Sequence, residues 1–190
     1  MVDAVRTILM YGLVPLWILA GLGDWWCHRR TAIERNAGLR ESAMHSAMMI
    51  EVGIPVLMAL FLEINAMVFA AMLAGAAVHA ITAWIDVAYA TDHRTIRPIE
   101  QHMHSLLEVL PLAAVALIAS VHWEQFLALF GAGPATPDYS LALKAVPLPA
   151  AEIAGLLVAI LVLVVAPYAE ELVRCARYAR LARDPRVQRS

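Results

Sequence analysis

The chain has 190 residues, 62% of them hydrophobic and only 16% charged, with a mean hydropathy of +0.69. Soluble domains sit nearer about 45–50% apolar and about 25% charged, so a water-soluble globular enzyme, a disordered low-complexity chain and a disulfide-stapled secreted domain are excluded. Most of this chain has lipid as its solvent, and its net charge of −2 becomes informative only when sorted by position.

A membrane-spanning helix needs roughly 20 predominantly apolar residues. Five stretches qualify, predicted over about 8–26, 43–62, 66–90, 103–121 and 148–166. The first is long enough to span, lacks an A-x-A cleavage site and ends in Asp24-Trp25-Trp26-Cys27-His28, so it reads as an anchor rather than a signal peptide. Glu63-Ile64-Asn65 is the only polar break between the second and third and predicts a tight hairpin. After the fourth, residues 122–147 read as a loop broken by Gly131, Gly133, Pro134 and Pro137, with a short helix over 123–130. The fifth is the most uniformly apolar. Residues 170–183 follow it as a helix whose Arg174, Arg177, Arg180 and Arg183 share a broad face, a solvated anchor at the membrane surface. Period-two alternation is absent, which argues against a β-barrel. The expected fold is an all-α polytopic membrane protein, with a transmembrane domain over residues 1–168, a bundle of the first four spans, and a basic tail over 169–190.

The basic residues orient it. Arg29, Arg30, Arg35 and Arg40 follow the first span, Arg94 and Arg97 the third, and Arg174, Arg177, Arg180, Arg183, Arg186 and Arg189 the fifth. Alternating spans put these on one side, leaving only Arg6 and Lys144 opposite. The positive-inside bias then predicts an outer N-terminus, a cytoplasmic C-terminus and a bacterial-type inner membrane. Cys27 and Cys175 both fall on the reducing side, so no disulfide is expected.

Ionisable side chains inside a span cost about 2.5–3.5 kcal/mol each at the helix centre, and so point to function. Here they form stripes. The first span ends in Asp24-x3-His28, the second begins with Glu41-x3-His45, the third carries His79 and Asp86 seven residues apart, and the fourth begins with Glu100-x3-His104-x3-Glu108. Spacings of four and seven put side chains on one helical face. By depth, Asp24, His45, Asp86 and His104 lie about one turn inside the cytoplasmic boundary at about 1.5 Å per residue. His28, Glu41, His93 and Glu100 ring the mouth, and Glu51, His79 and Glu108 sit deeper. Glu51 is off the Glu41/His45 face by about 80° or more, which suits a proton-relay role. The fifth span offers no ionisable group in its apolar core.

Mixed Asp/Glu/His sets suit iron, manganese or zinc rather than copper(I), and soluble di-iron bundles hold their ions with Glu and Glu-x-x-His pairs on facing helices. The expected ligands are Asp24, His28, Glu41, His45, His79, Asp86, His104 and Glu108, with Glu51 and Glu100 in catalytic support. Four or more carboxylates offset two divalent ions, with iron expected and zinc as the alternative.

Over residues 20–110 this layout resembles that of the membrane-integral di-iron oxygenases, the fatty acid hydroxylases and desaturases. Their diagnostic H-x3-H and H-x2-H-H boxes are missing; the nearest run is His102-Met103-His104. Glu41-Ser42-x2-His45 is also similar in style to the seven-span alkaline ceramidase-like hydrolases. The resemblance implies a di-metal oxidoreductase acting on a lipophilic substrate, supplied with electrons by a partner protein. The alternatives are a zinc hydrolase of a lipid amide or ester, a cation or proton transporter, and a b-type haem protein using His45, His79 and His104. Membrane lipids are expected neighbours; no nucleic acid is.

Overall fold

The computed structural model describes residues Val2–Arg183; Arg186 and Arg189, assigned above to the basic side, lie outside them. Among the described residues the chain is 81% helical and has no strands. Five helices are long and apolar enough to cross a membrane: α1 (Val2–Arg30), α2 (Gly38–Phe61), α3 (Ala66–His93), α4 (Pro98–Val121) and, after the short α5 (Trp123–Leu129), α6 (Ala150–Ala182). These mark a membrane-integral protein.

Most of these helices outrun the apolar windows at their arginine-bearing ends. An apolar window measures hydrocarbon thickness, whereas a helix satisfies its own backbone and continues until a turn signal stops it. α1 therefore runs on to Arg30, α2 begins at Gly38, α4 begins at Pro98 and α6 continues to Ala182. α1 and α6 each contain a π-helical turn, at Leu9–Leu13 and Leu161–Val165. Each lies just before a proline, Pro15 or Pro167. A proline ring has no N–H and crowds the carbonyl four residues back, and a wider turn absorbs both.

At the end bearing Lys144, the α2–α3 hairpin is capped by Asn65, whose side chain accepts from the Val68 N–H. The 131–149 loop pairs back onto this hairpin through Glu63 N–H to Ala142 O and Lys144 N–H to Phe61 O. Val68, Phe69, Met72 and Ala119 form the buried core beneath, with Phe126 packed against them. At the other end Arg29 bonds Glu170, and Arg94 bonds Glu41. The helix ends rich in arginine are thus gathered together.

α2 and α3 approach closely at Gly75. A Cβ there would lie 2.7 Å from both the Glu51 carbonyl oxygen and Pro55 Cγ. The first obstacle is backbone and cannot rotate away. Gly75→Ala is expected to destabilise the fold by about 1–3 kcal/mol, the usual cost of overpacking. Thermal unfolding in detergent checks this; an unchanged or higher melting temperature would sink it.

Candidate metal centre

The third-to-fourth helix connection supplies the first strong constraint. Arg94, just beyond α3, donates from Nε to both oxygens of Glu41, at 3.1 and 3.2 Å. Its Nη2 also stands 2.5 Å from Glu100 Oε1. Burial alone would lower the Arg94 pKa, but the hydrogen bonds of Glu41 and Glu100 outweigh it and raise it above the ordinary value. Arg94 therefore clamps the starts of α2 and α4 to the end of α3.

Inside this clamp lies a buried group of carboxylates and imidazoles. Glu171, on α6, accepts from Nδ1 of His28 at 3.0 Å and from Nδ1 of His45 at 2.8 Å. Glu171, His28, Glu41 and Glu100 are all 0% exposed. The two imidazole rings stack with centroids 4.4 Å apart and planes within 4°. An ionised carboxylate only accepts, so each Nδ1 bonded to Glu171 carries the hydrogen. In the neutral rings each Nε2 is then a lone pair.

Those two Nε2 atoms face carboxylates. His28 Nε2 lies 3.5 Å from Asp24 Oδ1 and 3.4 Å from Glu100 Oε1; His45 Nε2 lies 3.4 Å from Asp86 Oδ2. Charge-assisted N–H···O bonds are shorter, about 2.7–2.9 Å. Neither Nε2 has an aligned hydrogen-bond partner, and the same holds for Asp24 Oδ1 and Glu100 Oε2, while Glu100 Oε1 is held by Arg94. His104 Nε2 stands 2.9 Å from Asp24 Oδ1, again without alignment. The Tyr168 hydroxyl lies 3.2 Å from both Asp24 Oδ2 and the Gly21 carbonyl oxygen, on the side of Asp24 away from His104.

Ligand atoms from Asp24, His28, Glu100 and His104 lie within 4.8 Å of one another, as do those from His28, Glu41 and His45. With metal–ligand bonds of about 2.0–2.2 Å, neighbouring ligand atoms stand roughly 3.0–3.5 Å apart. The unaligned contacts span that range. The arrangement can accept divalent cations, with Glu171 in the place of the carboxylate that orients a ligating imidazole through its other nitrogen.

Of the residues singled out from sequence, Asp24, His28, Glu41, His45, Asp86, Glu100 and His104 come together here. His28, Glu41 and Glu100, expected to ring an open mouth, are fully buried, because α6 and Arg94 cover them. His93 is exposed, its Nδ1 bonded to the Tyr89 carbonyl and its ring against Tyr89. Glu51, His79 and Glu108 are a separate group. Thr82 donates to Glu51 Oε1 at 2.7 Å, and His79 Nδ1 lies 3.9 Å from Glu51 Oε2. Glu108 lines the same cavity as His79 and is exposed to it.

Glu171 and Tyr168 escaped the sequence reading, and Arg94 was read mainly as a marker of topology. The helix they interrupt is arginine-rich and reads as surface. Its signal is the spacing of Tyr168, Glu171 and Cys175, three and four residues apart, the only buried positions of 166–182. That stripe packs on α2 and on the turn before it, where Cys175 meets Ile33 and Ala37 in a small core. The fifth long helix is therefore a full contributor to the cluster.

A cavity of about 410 Å³ opens from the cluster. Asp24, His45, Asp86, His104 and Tyr168 form its polar end. Trp17, Val52, Leu57, Leu156 and Ile160 line its apolar length. Its size falls within the usual range for small-ligand pockets, about 300–1,000 Å³. Set against known protein families, characterised proteins and solved structures, the chain matches none of them.

Proposed function

We propose that this chain is a membrane-integral metalloenzyme, with a di-iron centre that oxidises a lipophilic substrate. One observation carries the reading. Two stacked imidazoles share one carboxylate at Nδ1 and turn their unpartnered Nε2 atoms toward carboxylate oxygens at the spacing of a coordination shell. Parallel rings 4.4 Å apart present those nitrogens side by side, which suits two ions at the roughly 3.5–4 Å separation of dinuclear sites.

Charge supports the same reading. Asp24, Glu41, Asp86, Glu100 and Glu171 bring five buried carboxylates. Two divalent cations together with Arg94 balance them and leave the imidazoles neutral, as ligation requires. Asp24, His28, Glu100 and His104 hold one ion, and His45 and Asp86 belong to the other. Glu41 is anchored by Arg94 and stands closest in reserve. His79 and Glu108 lie on the cavity wall, in reach of the substrate rather than of these ions.

Iron, when bound, supplies oxygen activation. The protein's part is to hold the rings through Glu171, to exclude water with Tyr168 and the apolar chamber, and to keep Glu51, bonded to Thr82 and 3.9 Å from the cavity-lining His79, as a proton-handling group behind the chamber wall. Electrons come from a partner protein at the arginine-rich end, which the positive-inside bias assigns to the cytoplasm.

Metal analysis of the purified chain tests the reading. Two irons per chain are expected after expression in iron-replete medium. One zinc per chain would overturn the oxidoreductase in favour of the hydrolase, and absence of stoichiometric metal would leave the cluster as an ion-pair network.

A further inference from the structure

Within the metalloenzyme reading, the substrate's class and its direction of entry also follow from the fold. Ala150–Ile160 and Leu161–Val165 bury no residue, whereas 166–182 of the same helix buries Tyr168, Glu171 and Cys175. α6 is thus docked on α2 at the arginine-rich end and parts from it beyond. The gap is edged on α2 by Ile50, Ile54 and Leu57, which line the cavity yet are 56%, 54% and 45% exposed. Facing them on α6 are Leu157, Ile160 and Val164. Both edges are apolar stripes at helical spacing, and both lie at the depth of the hydrocarbon. The chamber is therefore reached from the bilayer, not from water.

The chamber also has a direction. Its polar end lies at the arginine-rich boundary, and from His45 to Leu57 it descends twelve residues, or about 18 Å at about 1.5 Å per residue. A lipid of the adjoining leaflet has the same polarity, head at the boundary and chain below. Among the described residues no lysine or arginine lines the chamber, while Asp24, Asp86 and Glu108 do. With two divalent ions there, the five buried carboxylates already balance them and Arg94, and without the ions the carboxylates stand alone; either way an anionic head finds no surplus cation to pair it. We infer that the chamber takes a single-chain lipid with an uncharged oxygen-bearing end, admitted sideways between α2 and α6, its polar end at the metal cluster and its chain toward Leu57. The reacting carbon is accordingly at the head of the chain and not in its middle. The entry route stands on the cavity alone; only the word reacting rests on the metalloenzyme reading.

Gly53 supplies the test. It lines the cavity, and a Cβ placed on it meets nothing within 4 Å. The Cβ of Gly53→Phe starts in open space beside the chamber, and removing a helix-interior glycine favours the helix. The full chain in lipid nanodiscs is photolabelled with a long-chain primary alcohol bearing a diazirine either beside the oxygen or near the methyl end. The methyl-end probe is expected to label peptides around residues 14–18, 53–57 and 156–160, and the oxygen-end probe those around 21–24, 104–108 and 164–168. Gly53→Phe should reduce methyl-end labelling about tenfold, since overpacking by about 1.4 kcal/mol gives that factor, with metal content unchanged. The same labelling on protein stripped of metal still supports the chamber, while loss of stoichiometric metal counts against the metalloenzyme reading alone. Reversed labelling, labelling no stronger than at the lipid-facing peptide of Trp84, equal labelling by the matching fatty acid, or indifference to Gly53→Phe each overturns the inference.

Discussion

His28→Ala is expected to abolish tight metal binding, with affinity falling more than about 100-fold, beyond the usual 10–100-fold cost of losing a supporting group. His28 is the residue common to both groups of potential ligands. Its loss also removes one of the two imidazoles stacked over the cluster and leaves Glu171 with a single partner. Metal content and absorption spectra of the purified variant measure this. A variant that keeps two ions per chain would remove His28 from the centre. His104→Ala serves as an independent control, because it deletes a ligand that Glu171 does not hold. It should lose metal while the His28–His45 stack survives.

Glu171→Gln tests the orienting role directly. The amide keeps the shape but puts an NH2 donor in place of one of the two oxygens that now accept from the Nδ1 atoms, so it cannot hold both rings as they stand. One imidazole must then turn or change tautomer. Metal affinity should fall about 10–100-fold, the range seen for groups that hold a ligating histidine. Fold and helix content should persist, since the substitution is isosteric. X-ray absorption of the metal-loaded variant should show one histidine fewer or a changed bond set, a signature that a merely structural residue would not produce. Unchanged affinity and spectra would mean that Glu171 serves α6 docking only. Glu171→Ala is the less discriminating variant, because it leaves a buried void as well.

These predictions rest on a residue that the linear reading did not reach, and the reason is physical. Hydropathy locates the part of a helix that lies in hydrocarbon, and it ends the fifth span near Ala166. Glu171 lies beyond that limit among arginines, where an acidic residue is ordinarily a solvated neighbour such as Glu170, which bonds Arg29 and Arg174. Only its contacts with His28 of α1 and His45 of α2 set Glu171 apart from the adjacent Glu170. Arg94 follows the same logic. Its position after a span marks topology, but its clamp on Glu41 and Glu100 depends on how α2, α3 and α4 converge.

Helical stripes behaved differently on the two sides of the cavity. The fourfold spacings of Asp24/His28, Glu41/His45 and Glu100/His104 bring these pairs into one cluster, because i and i+4 share a face in any α-helix. Extending the stripes by further turns did not keep them together. His79 and Glu108 share faces with Asp86 and His104, yet they sit about a turn or more deeper, on the wall of the chamber and away from the buried cluster. Glu51, off its own helix's stripe, pairs with Thr82 of α3 through the close approach at Gly75.

By itself the sequence determined what depends on local chemistry: helices, their number, their length in lipid, the hairpin at Asn65, and one helix end rich in carboxylate and imidazole. Those properties follow from hydropathy, from backbone hydrogen bonds that must close within each helix, and from the 3.6-residue period. The tertiary structure alone decided which nitrogen of each imidazole is held, which oxygens lack a donor, and that Glu171 belongs among them. It also decided that α6 leaves α2 halfway down and opens a chamber to the bilayer. Each of these is a matter of distance between segments far apart in the chain, and no spacing within one helix encodes it.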